Sequence, residues 1–175
     1  MAVEIEAKFK LNDPAAMRQT LESAGAAFQH RVHETNTFFD FGDERLLHAG
    51  HGLRLRVELG DRTRFVVTHK GARLPGKFKS RPEDEFEVSH PDAVVATFEA
   101  LGLGRKLEFE KIRETFDLDD CEIVLDHVAT LGDYIEVEGP SEASVQAVCD
   151  KLGLHGEPLQ SGYASMLGNG TFRLE

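Results

Sequence analysis

The first apolar stretch of the chain reads Glu4-Ile5-Glu6-Ala7-Lys8-Phe9, in which charged and apolar residues alternate. Successive side chains of a β-strand point to opposite faces, so the three charged residues share one face and the apolar residues share the other. Two carboxylates and an ammonium group in a row suit an aqueous cavity that holds a metal ion and an anion. A solvated strand face has the same pattern, so the remaining strands decide between the two interpretations.

The length and composition are those of a single soluble domain. The 175 residues are 41% hydrophobic and 29% charged, enough for one substantial core. The formal net charge of −11 argues against a nucleic-acid partner, which needs a basic face, but it is compatible with a small anionic ligand. No apolar run reaches the length of a membrane span, and Cys121 and Cys149 form no CxxC pair. We therefore expect a cytoplasmic protein with no membrane partner and no disulfide framework.

Three segments have the pattern of amphipathic helices, in which apolar residues recur every three or four positions between a start signal and a glycine. They run from Pro14 to Gly25, from Pro91 to Gly102 and from Ser141 to Gly153. Cys149 lies on the apolar stripe of the third helix, which predicts a buried packing thiol. Alternation predicts eight strands, over residues 3–11, 34–41, 53–59, 63–70, 84–89, 107–118, 122–128 and 134–138.

The order of these elements is similar in two halves of the chain, about residues 1–75 and 80–155, which a short C-terminal segment follows. Each half reads as a strand, a helix and three strands. We therefore predict a single domain over residues 1–175, built from two pseudo-repeated halves. Two such halves can close one antiparallel sheet into a barrel, which removes exposed strand edges.

Charged residues recur at every second position in most of the predicted strands, opposite an apolar face. The sets that share a face are Arg54 with Arg56, Thr68 with Lys70, Glu83 with Glu85 and Glu87, Lys111 with Arg113, and Glu136 with Glu138. One such set is typical of a solvated strand. So many together favour a closed barrel with a polar bore over an open sheet with one wholly charged face. The predicted fold class is α+β, an eight-stranded closed antiparallel β-barrel with the helices packed outside.

A bore of mixed charge has a specific chemistry. Carboxylates bind Mg²⁺ or Mn²⁺ through oxygen, and several Lys or Arg side chains neutralise a triphosphate that carries about four negative charges. Carboxylates packed together repel one another without cations, and packed cations repel one another without an anion. The bore therefore predicts a metal ion and a phosphate compound as ligands. The eight histidines form no zinc motif, and the sequence has no GxxxxGK[ST] phosphate loop.

An ordered set of short motifs resembles the CYTH superfamily, also called triphosphate tunnel metalloenzymes, over nearly the whole chain. The set is Glu4-Ile5-Glu6-Ala7-Lys8, Asn36-Thr37-Phe38-Phe39-Asp40, Gly52-Leu53-Arg54-Leu55-Arg56, His69-Lys70-Gly71, Ser80-Arg81-Pro82-Glu83-Asp84-Glu85, Lys111-Ile112-Arg113, Leu125-Asp126-His127-Val128 and Leu131 to Gly139. The resemblance implies an eight-stranded tunnel that acts on triphosphates with a divalent metal. Two departures stand out: His69 replaces a common tyrosine, and Gly162 interrupts the usual C-terminal Ser-Tyr segment.

The resemblance also assigns roles to particular residues. It implies that Mg²⁺ or Mn²⁺ is bound by Glu4, Glu6, Glu136 and Glu138. It implies that the triphosphate is bound by Lys8, Arg54, Arg56, Lys70, Arg81, Lys111 and Arg113. The predicted catalytic residues among these are Lys8, Arg56, Lys70 and Arg113. Residues expected to position the metal, the substrate or the basic groups are Glu83, Glu85 and Asp126.

Two reactions fit this set of residues. A class IV adenylyl cyclase converts ATP to cyclic AMP and pyrophosphate, whereas a triphosphatase hydrolyses tripolyphosphate, thiamine triphosphate or a nucleotide. The stretch from Leu125 to Gly139 is more similar to the cyclases, which favours that reaction. A polyphosphate- or nucleotide-binding module is the non-enzymatic alternative, but a receptor for anions gains nothing from a set of carboxylates. The sequence leaves the oligomeric state open, with a homodimer as one possibility.

Overall fold

The computed structural model describes residues 2–175 and contains nine strands and five helices in this part of the chain. In chain order the elements are β1 (Ala2–Lys10), α1 (Pro14–Ser23), β2 (Ala27–Asp40), α2 (Arg45–His48), β3 (Gly52–Leu59), β4 (Thr63–Lys70), β5 (Lys79–Glu87), α3 (Pro91–Ala100), β6 (Gly104–Leu118), β7 (Cys121–Val128), β8 (Gly132–Gly139), α4 (Glu142–Lys151), α5 (Tyr163–Leu167) and β9 (Gly170–Phe172). Among residues 2–175, no helix is long and apolar enough to span a lipid bilayer.

Eight of the strands form a closed antiparallel barrel, as the period-two charge pattern predicts. Their order is β2-β3-β4-β5-β1-β8-β7-β6, and pairing of β6 with β2 closes the ring. Strand β9 adds to β6 in parallel, beside residues 107–109. Because the two ends of the sheet pair with each other, strands from the first and second halves of the chain face one another across the bore.

The structure corrects several predicted boundaries. Strand β2 begins at Ala27 rather than at Glu34, because its first residues are exposed and do not alternate. Strand β5 begins at Lys79 rather than at Asp84; Pro82, a residue unusual within a strand, lies inside it. The sequence did not predict α2, α5 and β9, which have only four, five and three residues and therefore carry little periodicity.

The outward faces of the strands form the hydrophobic core together with the helices. Helices α1 and α4 cover the barrel on one side, where Leu21, Val145 and Cys149 pack with residues of β1, β7 and β8. Helix α3 covers another side, over an apolar cluster on β2, β3 and β4. Cys149 is buried, as the helical periodicity predicts. With the apolar faces turned outward, the charged faces line the bore.

A third apolar cluster occupies part of the bore itself. It consists of Leu107, Phe109, Val128, Tyr134 and Tyr163, with Phe38 and Met166 packed against it. Four of these residues lie an even number of positions from the charged residues of the bore along β6, β7 and β8, so they share the inward face. Tyr163 comes from α5, which brings the C-terminal segment against the charged part of the bore.

Candidate active site

A cavity of about 780 Å³ occupies the charged part of the bore. Nine Lys or Arg side chains and eight Asp or Glu side chains contribute to its lining. They include every predicted triphosphate-binding residue and every predicted metal ligand, together with Glu83 and Glu85. Asp126 lies just behind the lining, where it is buried against Lys111 and Arg113. The fold thus brings together charged side chains from seven of the eight barrel strands, while the eighth, β2, supplies Asn36 and Phe38.

The strand register explains why opposite charges meet. Lys8 on β1 lies opposite Glu136 on β8, and Lys70 on β4 lies opposite Glu83 on β5. Side chains of directly opposite residues in an antiparallel pair are close enough to interact. Each pair forms an ion pair, with a distance of 2.9 Å between Lys8 Nζ and Glu136 Oε1. The alternation within strands and the register between them therefore determine this part of the site.

Six charged side chains form a buried ion-pair network on one side of the bore. Its members are Lys8, Glu34, Lys111, Arg113, Asp126 and Glu136. Arg113 donates to the two oxygens of Asp126 at 2.7 and 2.6 Å and to Glu136 at 2.8 Å. Lys111 Nζ lies 3.0 Å from Asp126 Oδ2 and 3.4 Å from Glu34 Oε2. Each charge in this buried network has at least one opposite charge beside it.

Glu34 is the member of the buried network that is missing from the predicted site. Its side chain is 1% exposed and accepts a hydrogen bond from Asn36 Nδ2 at 3.1 Å. Burial alone raises the pKa of this carboxyl, but Lys111, Arg113 and Arg56 outweigh burial and hold the pKa far below its usual range. Glu34 lies two residues before Asn36 on the same strand face, which is the signal that could have found it.

Tyr163 connects two members of the buried network. Its hydroxyl donates to Asp126 Oδ2 at 3.0 Å, and Lys8 Nζ lies 3.8 Å from the centre of its ring. Burial, together with the charge of Asp126, raises the pKa of Tyr163 well above its usual value, so the hydroxyl keeps its proton. Gly162, which interrupts the family's Ser-Tyr segment, precedes α5 directly, and Tyr163 still lines the cavity.

A second group of charges lies on β3, β4 and β5. Arg54 Nη2 donates to Thr68 Oγ1 at 2.9 Å and lies 3.3 Å from Glu85 Oε2, while Arg56 Nη2 lies 3.1 Å from Glu85 Oε1. Burial favours a raised pKa for Glu85, but Arg56 and Arg54 outweigh it and lower the pKa. Glu85 therefore stays ionised and holds both guanidinium groups toward the bore.

Two further lysines lie beside the carboxylates of β1, although burial and Glu83 still raise the pKa of Glu4. Lys70 contacts Glu83 and lies 3.9 Å from Glu4 Oε2. Lys79 donates to Glu6, and its side chain is only 9% exposed. Lys79 is absent from the predicted site because it lies outside both the strand predicted at residues 84–89 and the motif that begins at Ser80.

Glu122 and Glu138, which we call the acidic pair, have no such partners. They lie opposite each other on β7 and β8, and neither has a Lys, Arg or His within 4 Å among residues 2–175. Burial, with the negative charges of Glu4, Glu122 and Glu6, raises the pKa of Glu138 to about 8. Burial raises the pKa of Glu122 as well. Glu122 is missing from the predicted site, although it lies four residues before Asp126 on the same strand face.

The predicted metal ligands fit a hard divalent cation by their chemistry. Glu4, Glu6 and Glu136 each contact a lysine or arginine, and no three His, Cys, Asp or Glu side chains of residues 2–175 are already arranged as a metal site. Carboxylate oxygens are nevertheless the ligands that Mg²⁺ and Mn²⁺ prefer. The raised pKa of Glu138 shows negative charge that the neighbouring side chains do not neutralise, and a divalent cation would neutralise it.

His69, the other departure from the family pattern, lies apart from this chemistry. Its Nε2 atom is 3.0 Å from Nδ1 of His51, and its Nδ1 atom is 4.0 Å from Asp84 Oδ2. It alternates with Thr68 and Lys70 along β4 and therefore points away from the bore. The substitution of histidine for tyrosine here leaves the lining of the cavity unchanged.

Comparison with known proteins places this geometry in a family. A relative from Methanocaldococcus jannaschii, named a "putative adenylate cyclase", is 29% identical over 136 residues, which cover 78% of this chain and 76% of the relative. The structure of a "putative adenylate cyclase" from Vibrio parahaemolyticus has a TM-score of 0.81 at 18% identity and covers 95% of this chain and 98% of its own. The structure of a "putative adenylyl cyclase" from Hippeastrum, described as having a dominant triphosphatase activity, has a TM-score of 0.73 at 17% identity. It covers 95% of this chain and 94% of its own.

At these identities the two structural likenesses show a shared fold. The family assignment comes from the sequence itself, since residues 2–161 match the CYTH domain. Proteins of the CYTH superfamily process small triphosphates and generally depend on a divalent metal. The match covers most of the 175 residues, and we conclude that the chain belongs to the CYTH domain family.

Proposed function

We propose that this protein is a divalent-metal-dependent enzyme that converts ATP to cyclic AMP and pyrophosphate. The observation that supports this most strongly is the cavity in the bore, where nine cationic side chains surround a space of about 780 Å³ beside an unneutralised acidic pair. The cationic side chains suit the triphosphate, and the carboxylates suit its metal. The size lies in the range of about 300–1,000 Å³ that is usual for small-molecule sites.

The proposed roles of the cations follow from their positions. Lys8, Arg56, Lys70 and Arg113 offset the negative charge that develops on the phosphate oxygens during the reaction. The remaining predicted contacts to the triphosphate are Arg54, Arg81 and Lys111. Three carboxylates hold these cations in place, since Glu83 contacts Lys70, Glu85 contacts Arg54 and Arg56, and Asp126 contacts Lys111 and Arg113.

The proposed metal ligands are Glu4, Glu6, Glu136 and Glu138, for Mg²⁺ or Mn²⁺. A divalent ion bound there would act as a Lewis acid toward the phosphate oxygens. Three of these carboxylates now contact lysine or arginine side chains. To bind the metal, they would give up part of those contacts, and the freed cations would bind the triphosphate instead. The metal and the triphosphate are therefore expected to bind cooperatively.

The cyclisation itself involves one substitution at phosphorus. The ribose 3′ oxygen forms a bond to the α-phosphorus and loses its proton, and the bond from the α-phosphorus to the bridging oxygen breaks so that pyrophosphate leaves. The name of the Methanocaldococcus jannaschii relative and the similarity of residues 125–139 to class IV cyclases support this reaction.

Hydrolysis of a triphosphate is the second candidate. It is favoured by the charge of the lining, in which the apolar surfaces offered to a nucleobase are few: Val3, Phe38, Phe86, Phe109, Ala164 and the ring of Tyr163. The dominant triphosphatase activity described for the Hippeastrum protein points the same way. In this reaction water attacks a terminal phosphorus of tripolyphosphate, thiamine triphosphate or a nucleotide, and the ribose has no role.

Product analysis distinguishes the two reactions. Purified protein with Mg²⁺ or Mn²⁺ is expected to form cyclic AMP and pyrophosphate from ATP, while 3′-deoxy-ATP binds without reacting because it lacks the nucleophile. Since weak crossover is expected at a shared metal site, the values compared are kcat/KM. A kcat/KM for tripolyphosphate far above that for ATP cyclisation would replace the cyclase with the triphosphatase. Absence of turnover for every triphosphate would leave only a binding module.

A further inference from the structure

We infer that Arg73, in the loop between β4 and β5, is a further binding residue for the phosphates of the substrate. This inference rests on the proposed function in one respect, namely that the cavity takes a triphosphate. Arg73 contributes to the lining of the cavity, although it lies outside the barrel strands and outside the motifs that carry the family resemblance.

The first argument is the pairing of charges around the cavity. Seven of the nine cationic side chains in the lining have a carboxylate within 4 Å: Lys8, Arg54, Arg56, Lys70, Lys79, Lys111 and Arg113. Within residues 2–175, Arg73 and Arg81 have none. A cation whose charge is already neutralised loses part of that interaction when it binds a phosphate. Arg73 and Arg81 therefore offer their full positive charge to an anion. Of these two, the sequence predicted phosphate binding for Arg81 but not for Arg73.

The second argument is the present partner of Arg73. Its Nη2 atom donates to Oε1 of Gln160 at 2.6 Å, and Gln160 also contributes to the lining of the cavity. An amide oxygen is a neutral acceptor, whereas a phosphate oxygen also carries negative charge and can accept two parallel hydrogen bonds from the guanidinium. Exchange of the amide for a phosphate oxygen is therefore favourable. Gln160 holds the guanidinium at the cavity without neutralising it.

The third argument is that the loop is fixed while the side chain is free to turn. The amide of Gly71 bonds to Pro82 O and the amide of Leu74 bonds to Ser80 O, both at 2.8 Å, so the backbone on either side of Arg73 is anchored to β5. The side chain itself is exposed. The fold thus places Arg73 at the cavity, and a change of rotamer is enough to move its guanidinium from Gln160 to a ligand.

Titration calorimetry with tripolyphosphate tests this inference. Binding is measured in EDTA, which prevents metal-dependent turnover, for wild type, Arg73→Ala, Arg73→Lys and Arg62→Ala. Arg62 is the matched control, an exposed arginine beside Glu87 that is not part of the cavity lining. Loss of one charge-assisted contact is expected to raise Kd about 10- to 100-fold in Arg73→Ala, less in Arg73→Lys and not at all in Arg62→Ala.

A second variant tests the role of Gln160. Gln160→Glu gives Arg73 a carboxylate partner and is expected to raise Kd, and Arg73→Ala should remove most of that effect in the double variant. The inference is overturned if Arg73→Ala binds tripolyphosphate within twofold of wild type, or if the effect of Gln160→Glu persists undiminished without Arg73. Turnover of ATP and tripolyphosphate in Mg²⁺ separates the two proposals. If binding depends on Arg73 but no turnover occurs, the inference about Arg73 is supported and the proposed enzymatic function is contradicted. If turnover occurs but does not depend on Arg73, the enzymatic function is supported and the inference is contradicted.

Discussion

The buried network and the acidic pair contain the same kinds of carboxylate in opposite electrostatic states. In the buried network, Glu34 and Glu136 are surrounded by Lys and Arg, and their pKa values lie far below the usual range despite burial. In the acidic pair, Glu138 faces other carboxylates, and burial with those charges raises its pKa to about 8. Neighbours rather than burial therefore decide the charge state. The buried network is complete without a ligand, while the acidic pair gains most from a bound cation.

Removing a charge from the buried network should have the largest effect on stability. Arg113→Ala leaves Asp126 and Glu136 buried with one cation fewer each, and breaking a buried ion pair in this way costs about 3–5 kcal/mol. Urea unfolding at neutral pH measures the loss. The variant for comparison is Glu138→Gln in the acidic pair, which removes a carboxylate that has no cationic partner in the part of the chain that the structure describes. It should leave the free energy of unfolding unchanged or raise it. Equal destabilisation by both variants would contradict the distinction between the two regions.

Arg56→Ala should weaken catalysis. Arg56 contacts Glu85 and Glu58 and lines the cavity, so its proposed role is to bind and offset the charge of phosphate. We expect kcat/KM to fall by one to two orders of magnitude, which corresponds to roughly 1.5–3 kcal/mol for a charge-assisted contact. Unchanged kinetics in both Arg56→Ala and Arg54→Ala would show that these arginines do not contact the substrate.

The two regions should respond to pH in opposite directions. The pKa of Glu34 is lowered on folding, so its stabilising contribution is present above about pH 4.5 and is lost on acidification. The pKa of Glu138 is raised from 4.5 to about 8, so the folded state binds more protons across that range and stability falls as the pH rises through it.

Glu138→Gln should therefore remove a loss of more than about 1 kcal/mol between about pH 5.5 and about pH 8.5, as measured by urea unfolding at each pH. Mg²⁺ should reduce the same loss in the wild type, because the metal stabilises the ionised carboxylate. A pH profile of unfolding that is identical in wild type and Glu138→Gln would show that this carboxyl does not titrate in that range.

Tyr163→Phe should have the smallest effect. It removes the hydrogen bond to Asp126, which still has Lys111 and Arg113, and it keeps the aromatic ring beside Lys8. A loss of about 1 kcal/mol in unfolding free energy is expected. Tyr163→Leu also removes the cation–π contact, which adds about 0.5–2 kcal/mol. If both variants unfold at the same urea concentration, the ring does not stabilise Lys8.

Much of the fold could be predicted from period-two alternation. Because charge and apolar residues alternate so regularly in β1, β3 and β8, the inward face of each strand was evident from the sequence. The beginnings of β2 and β5 were not, since the first has exposed residues on both faces and the second contains Pro82. The short elements α2, α5 and β9 have too few residues for a period, and only tertiary contacts define them.

The candidate site was predicted as a set of residues but not as a pattern of contacts. Lys79 and Glu122 lie two and four residues from a predicted site residue on the same strand face, and Glu34 lies two residues from Asn36 of the family motif, so extended alternation would have included them. Arg73 and Gln160 lie in irregular segments, so no period points to them. The strand register decides which carboxylates lie beside a cation. The alternation pattern shows the face on which a side chain lies, but it does not show which residue lies opposite on the next strand.

The dependence of turnover on metal tests the central claim most directly. ATP and tripolyphosphate are each incubated with wild type, Glu4→Ala and Glu6→Ala, in Mg²⁺ or Mn²⁺ and in excess EDTA, and the folded state of each variant is checked by urea unfolding. The account predicts turnover by the wild type with metal, none in EDTA, and loss of turnover in both folded variants, because each lacks a proposed metal ligand. Full turnover in EDTA, or by either variant, would contradict it.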